Sequence, residues 1–131
     1  MHHLRVSSRK HTEFINIDRE IQHIVTTAGI QEGAVQVFVP HTTAGVTINE
    51  NADPDVVADM ALILDRAIPW DAGYAHAEGN SAAHVKASMM GSSVTVFIAQ
   101  GRLQLGAWQS IYFCEFDGPR NRQVWVRLST S

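Results

Sequence analysis

His41, His76 and His84 are the side chains of this sequence whose settings could hold a ring still for chemistry. His41 follows directly on the apolar run Ala34 to Val39 and its Pro40 stop, so it sits at the tip of a rigid strand. His76 and His84 bracket Glu78-Gly79-Asn80-Ser81, a turn that opens a short helix. Neutral imidazole suits zinc, and a three-histidine set leaves a fourth position for water. The three rings therefore predict one divalent metal, zinc by ligand type, or a cluster that moves protons around one bound water. His41 alone reads equally as a ring hydrogen-bonded to its own turn. His76 and His84 meet only if the intervening turn folds back, a loop-plus-helix pattern distinct from the His-Glu-x-x-His helix of zinc proteases.

Carboxylates and donors surround this set. Glu78 lies between two candidate ligands, where it would act as general base or fix an imidazole tautomer; a solvated turn carboxylate is the alternative. Glu50, closing the run Val46 to Glu50, is the second candidate carboxylate. Asn80 and Ser81 begin the helix, where free backbone N–H groups and the positive dipole end favour an anion, with Lys86 or Arg120 adding charge.

The elements that position these groups follow from periodicity. Residues 2 to 9 and 12 to 17 alternate loosely around Ser8-Arg9-Lys10-His11, which suits two strands and a turn. Asp18 is placed to cap a helix whose stripe is Ile21, Ile24, Val25 and Ala28, with Gly29 as terminator and His23 off the stripe in solvent. Ala34 to Val39 is apolar on both faces, as in a central strand covered on each side. Asp53-Pro54-Asp55 starts a second helix, with Val56, Val57, Met60, Ile63, Leu64 and Ala67 as its buried stripe and Asp59 and Asp65 solvated. In the third helix, Ala82, Val85 and Met89 share a stripe and Gly91 is the stop. Strands follow over residues 94–99, 103–106, 111–116 and 123–128, with turns between them. Three helices among seven or so strands predict an α+β domain with a mainly antiparallel sheet.

The whole chain narrows the function classes. Its 131 residues at 45% hydrophobic content fit one domain, residues 1–131, with a real core. The apolar runs stop well short of the roughly 20 residues a membrane helix needs, and no apolar leader opens the chain, so a soluble cytoplasmic protein with no membrane partner is expected. The single cysteine, Cys114, excludes an internal disulfide and reads as a buried small hydrophobe on a strand. Net charge of −3, with no basic cluster beyond Arg9-Lys10, lacks the footprint of a nucleic-acid binder. Phosphate-binding glycine loops, dinucleotide fingerprints and nucleophile elbows are absent.

Five stretches carry a family resemblance in order along nearly the whole chain: His41-Thr42-Thr43-Ala44-Gly45, Asn49-Glu50, His76 to His84, Leu105-Gly106-Ala107-Trp108-Gln109, and Glu115 to Arg120. Together they resemble the YjbQ family, a widespread group of small proteins described as secondary thiamine-phosphate synthases. Ala107 departs from the threonine more usual before the Trp-Gln pair. The resemblance implies an α+β two-sheet sandwich with two to three helices, a homotrimer about a threefold axis, and a pocket holding the motif histidines, with Gln109 among the ligand-binding residues. It also implies a weak thiamine-phosphate synthase activity. That transfer displaces pyrophosphate, a step served by Mg²⁺ on carboxylates and by Arg or Lys on the diphosphate. Three imidazoles suit Mg²⁺ poorly, so the residues point to hydrolysis or proton transfer on a small phosphorylated or anionic molecule. The competing class is a non-enzymatic binding module for such a ligand.

Strand alternation adds an independent argument for association. Val124, Val126 and Leu128 take one face of the last strand, while Gln123, Trp125 and Arg127 take the other. A sheet face carrying Trp and Arg needs a cover, which a second copy of the chain would supply.

Overall fold

Alternation of buried and exposed side chains sorts the strands into two sheets. The computed structural model describes residues Met1–Ser131. In chain order its elements are β1 (His2–Ser7), β2 (Glu13–Asn16), α1 (Asp18–Ala28), β3 (Gly33–Phe38), β4 (Ala44–Glu50), α2 (Pro54–Ala67), α3 (Ser81–Met90), β5 (Ser93–Ala99), β6 (Arg102–Leu103), β7 (Gln109–Glu115) and β8 (Asn121–Thr130). A five-stranded sheet has the order β1-β8-β3-β5-β6 and a three-stranded sheet the order β2-β7-β4, with every pairing antiparallel. The architecture is the α+β two-sheet sandwich expected. No helix is long and apolar enough to cross a membrane.

The main core lies between the sheets. Val35, Val37, Val96, Ile98, Val124 and Val126 from the larger sheet meet Val46, Ile111 and Phe113 from the smaller one, and Ile21 and Val25 of α1 join them. A second apolar layer covers the other face of the small sheet, where Tyr112, Cys114 and Phe116 pack on Leu64 of α2 and Ala83 and Ala87 of α3. The strand buried on both faces is therefore β7. β3 is central in its sheet, as expected, but its outer face is open, with Phe38 39% exposed. No helix lies over that face, since the helices pack on β4, β6 and β7. Trp125 is half-buried there between the rings of His3 and Phe38, at centroid distances of 5.7 and 5.6 Å.

Helix α1 buries Ile21 and Val25 as expected, whereas α3 departs from its expected stripe for a steric reason. A Cβ on Gly45 of β4 would lie 2.7 Å from the Gly91 carbonyl oxygen and 3.1 Å from that of Ala87. Only glycine lets the end of α3 lie this close to the sheet. The helix accordingly turns its small residues inward, and Val85 and Met89 are exposed. In α2 only Leu64 is buried, and Ile63 is 62% exposed. Asp53 does cap α2, accepting the Asp55 N–H at 2.9 Å, and Gly29 ends α1 in the left-handed region. Asp18 is the first residue of α1 rather than its cap, and its side chain instead accepts the Ile111 N–H at 2.7 Å.

Candidate functional site

Three of the links that pass from one sheet to the other, β1 to β2, β3 to β4 and β7 to β8, meet in space. The registers Ser7↔Asn121, Glu13↔Glu115 and Ala44↔Glu115 bring all three to the same end of the sandwich. Their backbones are cross-bonded: the Ser8 N–H donates to the Arg120 carbonyl, the Gly118 N–H to that of His11, and the Phe116 N–H to that of Thr43.

A buried polar cluster pins these links. Glu115 is wholly buried and Arg122 nearly so. Arg122 Nε donates to Glu115 Oε1 at 2.9 Å, and its Nη2 donates to Glu115 Oε2 and, at 2.8 Å, to Thr43 Oγ1. Ser8 Oγ donates to Glu115 Oε1 at 2.6 Å, and the Asp117 N–H donates to Oε2 at 3.0 Å. Each of the three links thus contributes to one carboxylate–guanidinium pair. Burial alone would raise the Glu115 pKa, but the Arg122 and Ser8 hydrogen bonds outweigh it and hold the carboxyl below its ordinary range.

Above this cluster opens a cleft of about 660 Å³, lined by His41, His76, Glu78, Asn80, His84, Arg120 and Arg122 among others. Arg122 Nη1 has no acceptor in the protein and is left to the cleft. The expected turn folds back: the Gly79 N–H donates to the His76 carbonyl at 3.1 Å, with Gly79 at φ 75°. The rings of His76 and His84 then lie nearly perpendicular, centroids 5.5 Å apart. His41 Nε2 accepts the Gln123 N–H at 2.9 Å. That bond needs the Nε2 lone pair, so in the neutral ring Nδ1 carries the proton. Burial, and then the Arg122 charge, lower the His41 pKa and favour this neutral ring. Asp117 accepts from Arg120 Nη2 at 3.0 Å and from Asn80 Nδ2 at 2.9 Å.

The structure brings His41, His76, His84, Glu78, Asn80 and Arg120 to one place, and leaves other candidates elsewhere. Glu50 pairs with Gln109 at the far end of β4 and β7, opposite to the Ala44↔Glu115 end that faces the cleft. Gln109 Oε1 is engaged by the Gly106 N–H in its own turn. Lys86 is 2% exposed and reaches Asp65 of α2 at 2.5 Å, because the close approach of α3 to the sheet turns it toward α2. Ser81 is half-buried and outside the cleft lining. The expected three-histidine metal centre does not fit this arrangement. His41 has no free lone pair once Nε2 accepts and Nδ1 is protonated, and no three His, Cys, Asp or Glu side chains are grouped to hold an ion.

Sequence reasoning missed Arg122, Glu115, Thr43 and Asp117. A signal for the first two was present: Arg122 shares the inward parity of Val124 and Val126, and Glu115 that of Ile111 and Phe113. Charged residues on the inward parity of facing strands point to a buried pair.

A family model described as UPF0047 protein YjbQ-like matches residues 2–131. The UPF0047 protein YugU of Bacillus subtilis is 49% identical over 126 residues, covering 95% of this chain and 96% of its own. A UPF0047 protein of Methanocaldococcus jannaschii is 43% identical over 124 residues, covering 95% and 90%. Among solved structures, an uncharacterized conserved protein of the same family from Clostridium acetobutylicum superposes with TM-score 0.96 at 48% identity, over 98% of this chain and 100% of that one. A conserved hypothetical protein from Thermus thermophilus superposes with TM-score 0.92 at 40% identity, over 98% and 100%.

Proposed function

The chain belongs to the UPF0047 YjbQ-like family, and on that premise we propose that it is an enzyme acting by proton transfer on a small phosphorylated or otherwise anionic molecule bound in the crossover cleft. The observation that carries this reading is that His41, His76, His84 and Glu78 line one cleft with Arg120 and Arg122. Arg122 Nη1, Arg120 and the His41 Nδ1–H are donors for the oxygens of an anion, and all three side chains are held by hydrogen bonds to the protein scaffold before any ligand arrives. Glu78, beside His76 and His84, supplies the acceptor and relay for a proton.

Hydrolysis of a phosphate monoester is the simplest reaction of this kind. A water oxygen bonds to phosphorus while Glu78 accepts the water's proton. The ester P–O bond breaks with its electron pair on the alcohol oxygen, which takes a proton handed on through His84. For the pyrophosphate-displacing transfer of a thiamine-phosphate synthase, the cleft offers two arginines, but its carboxylates are mostly committed. Asp117 serves Arg120 and Asn80, and Glu115 serves Arg122. Proton transfer asks only for Glu78.

A non-enzymatic binding module is the second reading, favoured by the same preset donors. Phosphate release from a panel of monoesters decides between them. Turnover that falls by about 10²-fold or more in Glu78→Gln, with the fold intact, supports the enzyme. Binding without turnover supports the module, and neither binding nor turnover refutes both.

A cytoplasmic homotrimer belongs to the same proposal. Closed threefold symmetry needs two different complementary surfaces on each chain. Phe38, Phe97 and Trp125 offer one on the open sheet, and Ile63, Val85 and Met89 offer another on α2 and α3. Light scattering on the eluted protein tests the mass, and a monomer at micromolar concentration refutes it.

A further inference from the structure

Asn80 holds the one buried side-chain polar atom of this chain that has no hydrogen-bond partner, its Oδ1. The residue is 6% exposed, lines the cleft and precedes Ser81 as the N-cap of α3, yet its side chain accepts no helix N–H. Its Nδ2 is drawn away instead, donating to Asp117 Oδ2 at 2.9 Å and to Glu78 Oε2 at 3.4 Å. Two carboxylate acceptors leave no doubt about which end of the amide is nitrogen, so Oδ1 is an oxygen lacking a donor. Unmet buried acceptors are costly, and each calls for a donor from an ordered water, an ion or a ligand.

The residues around the cleft therefore offer two chemistries. Arg120, Arg122 and the His41 Nδ1–H donate, whereas Asn80 Oδ1 and the Glu78 carboxylate accept. An anion alone would use the first set and leave the second unmet.

We propose that the ligand of this cleft carries an amine beside its anionic group, in the manner of an aminoalkyl phosphate, and that Asn80 determines this specificity by receiving the ammonium on Oδ1 next to Glu78. The inference rests on the anionic-ligand reading above and adds the second functional group. A charged donor matches a neutral amide oxygen and a carboxylate together better than a hydroxyl does, because charge-assisted hydrogen bonds are about twice as strong as neutral ones.

Titration calorimetry at neutral pH with O-phosphoethanolamine, ethyl phosphate and inorganic phosphate tests it. The wild-type chain should bind O-phosphoethanolamine at least about tenfold more tightly than ethyl phosphate, the factor expected of one hydrogen bond to a charged group. In Asn80→Ala the two esters should bind alike, at the affinity of ethyl phosphate for the wild type. Equal binding of both esters by the wild type overturns the proposal while leaving the anion site standing. Binding of none of the three probes overturns both. Retained discrimination in Asn80→Ala assigns the amine to Glu78 and overturns the role of Asn80. Should Asn80→Ala not fold, Glu78→Gln replaces it: discrimination that survives without the carboxylate supports Asn80, and its loss overturns the assignment.

Discussion

Replacing Glu115 by glutamine would leave the Arg122 guanidinium buried among Thr43, Ser8 and the sandwich core without a counter-charge. Removing one partner of a buried ion pair costs about 3–5 kcal/mol, most of it the burden of the stranded charge. For a domain of this size such a loss lowers the melting temperature by about 10–20 °C. Melting followed by circular dichroism measures it. A second variant isolates the cause: Arg122→Met with Glu115→Leu removes both charges at similar volume and should recover most of the lost stability. The pH dependence has a definite sign. The folded Glu115 carboxyl ionises below its ordinary 4.5, so its stabilisation is complete above that value and is lost as pH falls through the lower folded value. The double variant should lack that acid loss. A Glu115→Gln melt within about 2 °C of wild type would show that the pair does not hold the three crossovers, and the reasoning would fall.

Gly45→Ala should lift the end of α3 from β4 and destabilise the fold by about 1–3 kcal/mol, the usual cost of overpacking, in a denaturant titration. It should also weaken ligand binding, since His84 rides on the same helix. Lys86→Met should leave phosphate affinity unchanged, because its ammonium faces Asp65 rather than the cleft; a clear loss in calorimetry would contradict the placement. Elemental analysis of protein made without a histidine tag should find far less than one zinc per chain. One zinc per chain would show that His41 gives up its Gln123 hydrogen bond to act as a ligand.

Much of this fold was legible because local rules and tertiary packing agree in it. Asp53-Pro54, Gly29 and Gly91 bound their helices as capping chemistry requires. The errors arose where a pattern has two physical solutions. Val85 and Met89 lie at helical spacing from a buried Ala82, but Gly45 brings α3 too near the sheet for large side chains, so alanines face inward instead. Apolar residues on both faces of β3 meant a covered strand in the isolated sequence, while the chain supplies no helix to cover Phe38. For the site, His41, His76, His84 and Glu78 were readable as a set because their turns are local. Glu50 and Gln109 looked equally well placed in sequence, yet the length of β4 and β7 carries them to the other end of the sheet. Asp117 was out of reach for a different reason: its bond to Arg120 is local, but the one that ties it to the site, from Asn80 at the start of α3, forms only in the folded chain.

The most direct test of the central claim is a titration of the histidine-labelled chain with inorganic phosphate, followed through the imidazole ring nitrogens by NMR. Saturable shifts are expected for His41, His76 and His84, with the surface ring of His23 on α1 unmoved. Shifts confined to His23, or none at all at millimolar phosphate, would contradict it.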